Sequence, residues 1–133
     1  MLSWDCILGV DSYAWIEYLN GTKAGLKVKR ILEAKNNTIL TTCINLVEVV
    51  SKAKREGKDA DFATNALLSL SRVLAIGTRQ ARNAGMLHAE MRRKIADFGL
   101  ADAFVLAIAR EQKAKIVTGD EHFRNVNDSV MIR

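Results

Sequence analysis

Four carboxylate side chains stand where a parallel α/β sheet would gather them. Asp11 directly follows the first predicted strand, and Asp120 follows the fourth after one glycine. Glu48 lies near the start of the helix after the second strand, and Asp102 opens the helix that leads into the fourth. The carboxyl ends of the strands and the amino ends of the crossover helices meet at one edge of such a sheet. We therefore expect the four acids to share that edge.

A cluster of carboxylates at one edge has a definite chemical consequence. Two unit charges about 4 Å apart repel by about 4 kcal/mol at an effective dielectric constant of about 20. Such a cluster takes up protons or recruits a cation. Oxygen ligands without Cys or His favour Mg²⁺ or Mn²⁺. These metals activate a water and stabilise the leaving oxygen in phosphodiester hydrolysis. The pattern predicts a metal-dependent enzyme of that class.

Each acid also has a structural alternative. Asp is favoured at helix N-termini and in turns, which alone could account for Asp102 and Asp120. Glu48 has a more demanding setting, because its sequence neighbours are mostly Val, Leu and Ile. We expect it to be buried, and a buried carboxylate needs either a cation or a structural Arg or Lys partner.

Composition and charge limit the class of protein. The 133 residues, 49% hydrophobic and 26% charged, predict one soluble domain spanning 1–133. Two cysteines without a C-x-x-C pair favour reduced thiols over a disulfide framework or a zinc site. No targeting segment and no run long enough to span a bilayer is visible, which predicts a cytoplasmic protein with no membrane partner. The net charge of +5 suits a polyanionic partner such as nucleic acid.

Strands and helices alternate along the chain. The predicted strands are 6–10, 38–42, 73–76, 115–118 and 129–132. The predicted helices are one capped by Ser12 and ending at 19, one starting after 22, 45–55, one from 59 or 61 to 70, 78–98 and 102–113. Short apolar strands that alternate with helices are typical of an α/β fold with a mainly parallel sheet covered on both faces.

Several other polar residues invite a functional interpretation, but a structural one is favoured for each. His88 lies on the apolar stripe of helix 78–98 and is expected to be a hydrogen-bonded core residue. Asp97 is expected to be a surface residue at a helix end and not a fifth acid. The basic run 92–94 is expected to be a solvated face, with RNA phosphate contact as the alternative. For His122 we expect a turn or surface role, with substrate contact as the alternative.

The segments that carry the four acids resemble the PIN-domain nucleases, and within them the toxin ribonucleases of VapC type. They are VDS at 10–12, NLVEV at 45–49, GLADAFVLA at 99–107 and IVTGDEHF at 116–123. The last two segments are the ones most specific to this family. The resemblance extends over essentially the whole chain, with all four acids in the expected order and spacing.

The resemblance implies a three-layer α/β/α sandwich and Mg²⁺- or Mn²⁺-dependent cleavage of single-stranded or structured RNA. It implies that Asp11, Glu48 and Asp102 are the principal metal-binding acids and that Asp120 is a more peripheral fourth. Thr118 and Ser12 are expected to support the site or to contact substrate. The resemblance also implies a homodimer and a small antitoxin protein as a possible partner.

Two rival functions remain open from the sequence. A non-catalytic RNA-binding or partner-binding domain could retain an acidic pocket, and the basic charge fits it equally well. A phosphotransfer domain on a similar sheet is a weaker alternative. An aspartyl phosphatase needs Asp-x-Asp after the first strand, where this chain has Asp11 followed by Ser12 and Tyr13, and Gly77–Thr78 stand where a receiver needs its phosphoacceptor.

Overall fold

A five-stranded parallel sheet forms the centre of the computed structural model, which describes residues 6–133. The strands are β1 (Cys6–Val10), β2 (Asn37–Thr42), β3 (Arg72–Leu74), β4 (Lys115–Thr118) and β5 (Ser129–Met131). Their order is β3-β2-β1-β4-β5, and every neighbouring pair is parallel. The chain progresses outward on one side of β1 and then continues with β4 on its other side. The topological switch point, where open sheets bind ligands, therefore lies between β1 and β4.

Six α-helices connect the strands in this part of the chain: α1 (Ser12–Leu19), α2 (Lys23–Glu33), α3 (Cys43–Arg55), α4 (Ala60–Leu70), α5 (Thr78–Arg92) and α6 (Leu100–Gln112). Capping side chains define the starts of several of these helices. Asp11, Thr22 and Asp59 accept hydrogen bonds from backbone N–H groups in the first turns of α1, α2 and α4. None of the helices in residues 6–133 combines the length and apolarity of a membrane span.

The two faces of the sheet bury different sets of helices, which confirms the predicted α/β/α sandwich. Alternate residues of a strand point to opposite faces. Thus Val117 packs in the core with α1 to α4, whereas Ile116 packs in the core with α5 and α6. Trp15 is completely buried in the first core, and Phe98 and Phe123 in the second. Burial of each such side chain stabilises the fold by about 1.5–3 kcal/mol.

The close packing of α1 against α2 depends on one glycine. A Cβ atom at Gly25 would lie 2.1 Å from the backbone carbonyl oxygen of Glu17. Only a residue without a side chain permits this approach of the two helices.

The predicted end of helix 78–98 was wrong. Helix α5 ends at Arg92, where the hydrogen bonds of Arg93 and Lys94 shorten to i−3 carbonyl partners, and 93–99 form a connection of turns. The apolar periodicity continued through this connection because Phe98 still packs into the core. His88 lies beneath it, half-buried, and its Nε2 donates to the Phe98 carbonyl at 3.0 Å, in line with the predicted hydrogen-bonded role.

Other boundaries also differ from those predicted. Asp11 and not Ser12 caps the start of α1, because the Asp11 carboxylate accepts the Ala14 N–H. Strand β3 is 72–74 and not 73–76, helix α3 begins at Cys43 and not at 45, and α6 begins at Leu100 with Asp102 in its first turn. The last two shifts matter for the acids, because Asp102 becomes a residue inside the helix and Glu48 moves to the second turn of α3.

Candidate active site

Asp11 occupies the switch point of the sheet. Its backbone N–H donates to the Val117 carbonyl at 3.2 Å, which joins the ends of β1 and β4. Its carboxylate accepts the Ala14 N–H at 2.9 Å and so starts helix α1. Only 4% of the residue is exposed. The carboxylate is therefore held at the carboxyl edge of the sheet and is largely removed from water.

Burial raises the pKa of Asp11 from its ordinary 3.8 to about 7. Hydrogen bonds with Thr118 and the Ala14 N–H lower this pKa, and the negative charges of Asp102 and Asp120 raise it again. Charge on Asp11 is thus unfavourable unless a positive group is near. The interaction with Asp102 and Asp120 also shows that these three acids share one electrostatic environment.

Thr118 connects two of the acids. Its side chain is completely buried and is hydrogen-bonded to Asp11, and its Oγ1 accepts the Asp120 N–H at 2.9 Å. The intervening Gly119 is pressed against a ring, since a Cβ there would lie 2.4 Å from a carbon of Tyr13. The Thr-Gly-Asp sequence at the end of β4 therefore reflects a hydrogen-bond link and a position with no room for a side chain.

Asp102 faces the same edge from the first turn of α6. Its Oδ2 accepts the Gly99 N–H at 3.1 Å and closes the start of its own helix. Burial raises the pKa of Asp102 above its ordinary value, the Gly99 hydrogen bond lowers it, Asp120 raises it, and His122 lowers it. The capping role and a ligand role are compatible, because the carboxylate has lone pairs beyond the one that Gly99 uses.

His122 contacts three acids. Its Nδ1 lies 3.3 Å from Asp102 Oδ2 and 3.3 Å from Asp120 Oδ1, and its Nε2 lies 3.0 Å from Asp97 Oδ1. Burial favours the neutral ring, but the hydrogen bond with Asp102 and the charges of Asp120 and Asp97 outweigh it and raise the pKa of His122 above 6.5. Within residues 6–133, Asp102, Asp120 and His122 have ligand atoms that all lie within 4.8 Å of one another.

Glu48 lies outside this trio, on the neighbouring helix α3. Ser12 Oγ donates to Glu48 Oε1 at 2.5 Å, and Asn45 Nδ2 donates to Ser12 Oγ at 2.9 Å and to Oε1 at 3.4 Å. Asn45 is buried and fixed by Thr42, whose hydroxyl donates to Asn45 Oδ1 at 3.0 Å. Because Ser12 adjoins Asp11, this polar chain brings Glu48 to the vicinity of the buried acid.

The prediction that Glu48 is buried was wrong. The buried stripe of α3 consists of Asn45, Val49 and Ala53, spaced by four residues, and Glu48 lies beside it and is exposed. Its apolar sequence neighbours do not enclose it, since adjacent helical residues point about 100° apart. Glu48 consequently needs no buried basic partner.

His122 and Asp97 have closer contacts at this site than the sequence predicted. Asp97 is indeed exposed, with 83% of its side chain accessible, but it pairs with the imidazole. The His122 side chain is only 24% accessible and bridges the acids. A usable signal was present, because His122 follows Asp120 by two residues in the short 3₁₀ helix Glu121–Phe123, which returns its ring to the acid.

The donor set fits a divalent cation. Carboxylate oxygens dominate it, a buried acid has a raised pKa, and two further acids stand close to a histidine. Mg²⁺ and Mn²⁺ accept such oxygen ligands, and Mn²⁺ also accepts imidazole nitrogen. Positive charge at this edge would relieve the repulsion among the acids.

Comparison with known proteins gives a family match and a set of similar solved structures. The family model of the PIN domain matches residues 9–129. No curated protein matches the chain. Among solved structures, VapC20 of Mycobacterium tuberculosis, described as a sarcin–ricin loop cleaving toxin, is similar with a TM-score of 0.75 and 19% identity over 91% of this chain and 95% of that one.

Toxin–antitoxin complexes are among the similar structures. A toxin–antitoxin complex from Klebsiella pneumoniae has a TM-score of 0.70 and 19% identity, over 95% of this chain and 98% of that chain. VapBC2 from Rickettsia felis, bound to a DNA fragment from its promoter, has a TM-score of 0.70 and 22% identity, over 94% and 96%. At these identities the likeness establishes a shared fold.

Proposed function

The chain belongs to the PIN domain family, and from this premise we propose that it is a divalent-metal-dependent endoribonuclease. The observation that carries the proposal is the environment of Asp11. A carboxylate with 4% exposure, whose pKa is raised to about 7 by burial and by two further acids, lies at the switch point of the sheet. An acid in this state is poorly suited to a purely structural role and well suited to a cation.

The proposed metal ligands are Asp11, Asp102 and Asp120, with Glu48 contributing from α3. When bound, Mg²⁺ or Mn²⁺ polarises the scissile phosphate and lowers the pKa of the attacking water. Thr118 holds Asp11 and Asp120 in register through its hydroxyl. Ser12 directs Glu48 toward the site with the hydrogen bond that it donates.

RNA cleavage by the purified protein tests this proposal. Labelled RNAs are incubated with wild type and Asp11→Asn in Mg²⁺, Mn²⁺ or EDTA. The RNA panel includes tRNA and rRNA fragments, with a sarcin–ricin loop because VapC20 is described as cleaving it. We expect cleavage by wild type alone, abolished by EDTA. Asp61→Asn, a change at an exposed residue in the first turn of α4, serves as the matched control and should cleave normally.

Two outcomes contradict the nuclease. Cleavage that survives EDTA or Asp11→Asn would exclude the proposed site. RNA binding without turnover by either protein, independent of divalent metal, would support the non-catalytic RNA-binding alternative.

We further propose that the protein is the toxin of a toxin–antitoxin pair, forms a homodimer and acts in the cytoplasm. The similar structures that are toxin–antitoxin complexes support this role. A surface groove between α1, α3 and α4 offers apolar area to a partner, including Phe62, which is 66% exposed; its apolar lining is Ile16, Leu19, Val49, Ala53, Phe62 and Ala63.

Expression in a bacterial host tests the toxin role. Wild type should arrest growth and degrade a defined RNA, whereas Asp102→Asn should accumulate without arrest. Arrest by both proteins would contradict a nuclease toxin. Sedimentation equilibrium tests the homodimer, which requires twice the chain mass of 14.7 kDa.

A further inference from the structure

The imidazole of His122 is fixed on several sides. Its Nε2 lies 3.0 Å from Asp97 Oδ1, and its backbone N–H donates to Asp120 Oδ1 at 2.9 Å. The ring of Phe98 lies 6.2 Å away between centroids, tilted by 47°. This support directs Nδ1 toward Asp102 and Asp120.

The atoms around Nδ1 need a shared positive charge. A hydrogen on Nε2 satisfies Asp97, and the neutral ring then carries a lone pair on Nδ1. That lone pair faces Asp102 Oδ2 and Asp120 Oδ1, each 3.3 Å away. Ionised carboxylates have no hydrogen to donate. Three electron-rich atoms therefore converge on one region, and either a proton on Nδ1 or a metal ion supplies the positive charge that holds them together.

The distances suit one metal ion with little adjustment. Ligand atoms about 2.1 Å from a metal and at right angles lie about 3.0 Å apart. The observed 3.3 Å separations are close to this spacing. A carboxylate that accepts the other ring N–H of a metal-bound histidine is a common support, and Asp97 occupies that position.

We propose that His122 Nδ1 is a direct metal ligand together with Asp102 and Asp120, and that Asp97 is its positioning residue. The inference rests on the proposed function in assuming that a divalent metal binds at this edge. A nitrogen donor makes the site favour Mn²⁺ over Mg²⁺, which prefers oxygen ligands. The site is then a mixed oxygen–nitrogen centre and not an all-carboxylate one.

Pulsed electron paramagnetic resonance on Mn²⁺ bound to the full-length protein tests this directly. Imidazole coordination produces spin-echo modulation from ¹⁴N, and the histidine variants show which ring supplies it. The chain has two histidines, so His88→Gln is the matched control, because His88 bonds the Phe98 carbonyl. We expect ¹⁴N modulation in wild type and His88→Gln and its loss in His122→Gln.

Metal affinities give a second readout. His122→Gln should weaken Mn²⁺ binding by about tenfold or more and Mg²⁺ binding by much less. Asp97→Asn should retain the ¹⁴N signal and weaken Mn²⁺ binding by about threefold to tenfold, a moderate effect because Asp97 is exposed. Urea unfolding in EDTA checks that each variant is folded.

The outcomes separate the inference from the proposed function. Mn²⁺ that binds wild type without ¹⁴N modulation, or that binds His122→Gln with unchanged affinity, overturns the ligand role of His122 and leaves the metal-dependent nuclease standing. In that case the imidazole is a protonated counter-ion. Absence of Mn²⁺ binding by wild type overturns both.

Discussion

At the scale of single residues, Asp11 makes the metal-free protein sensitive to pH. Its pKa is about 7 in the folded state and near 3.8 when exposed, so the folded state binds more protons between these values. Stability must then fall as the pH rises from about 4 to 7. Each unit of pKa corresponds to about 1.4 kcal/mol, which makes the loss a few kcal/mol. Urea unfolding in EDTA at pH 5 and pH 8 should show lower stability at pH 8.

The substitution Asp11→Asn isolates the contribution of Asp11 to the pH dependence of stability. Asn can still accept the Ala14 N–H, and it carries no charge, so Asp11→Asn should be more stable than wild type at pH 8 and less dependent on pH. Some dependence should persist, because the raised pKa values of Asp102 and His122 act in the same direction. Asp61→Asn should keep the wild-type profile. Equal pH profiles of stability for wild type and Asp11→Asn would refute the assignment of this pH dependence to Asp11.

Glu48 should matter less to catalysis than Asp102 does. It is exposed, stands outside the Asp102–Asp120–His122 trio and is oriented by Ser12. We expect Glu48→Gln to lower kcat/KM by about tenfold and Asp102→Asn by more than about 100-fold. Glu33→Gln, an exposed change at the end of α2, is the control and should cleave as wild type does. Equal losses in Glu48→Gln and Asp102→Asn would contradict this order.

At the scale of elements, two helical glycines make opposite predictions. A Cβ at Gly25 in α2 would lie 2.1 Å from the Glu17 carbonyl oxygen, whereas a Cβ at Gly85 in α5 would meet nothing within 4 Å. Gly25→Ala must separate α1 from α2, and we expect a loss of about 1–3 kcal/mol. Gly85→Ala should stabilise by about 0.5–1 kcal/mol, because alanine is the better helix former. Urea midpoints measure both changes, and a stabilising Gly25→Ala would contradict the packing.

Local signals in the sequence were sufficient for most elements. Apolar runs marked the strands, and Asp59 and Thr22 marked helix starts as caps. The order of the strands then placed Asp11 and Asp120 at one edge. The end of α5 was missed because Phe98 continued an apolar period while the backbone had already left the helix, so periodicity recorded burial and not secondary structure.

The fine structure of the site depends on contacts that no local pattern contains. Ser12 meets Asn45 and Glu48 across 33 and 36 residues, and His122 meets Asp102 across 20. These bonds exist only once the helices have taken their positions on the sheet. The spacing of the acids predicted that they share one edge of the sheet. The hydrogen-bond partners that orient their side chains could be identified only in the folded structure.

At the scale of the whole molecule, a chain with a net charge of +5 carries an acidic edge. The basic run 92–94, which ends α5 and continues into the next turn, is exposed. Lys94 lines a cavity that is also lined by Arg110, His122, Asn125 and Asn127. Sequence alone favoured a solvated face for this run. Its position in a cavity that includes a residue of the site changes the expectation, because phosphates of an RNA held at the acids could extend toward Lys94.

Binding of RNA as a function of salt tests this arrangement. In EDTA, which prevents metal-dependent cleavage, Lys94→Gln should weaken RNA binding by about threefold at 0.1 M salt. It should also reduce the slope of log affinity against log salt by about 0.7, the value for one lost phosphate contact on a single strand. Lys35→Gln removes the same charge from the exposed connection before β2, at the opposite edge of the sheet, and should leave the slope unchanged. Identical slopes for both variants would show that the basic run 92–94 is a solvated surface and that RNA binds elsewhere on the molecule.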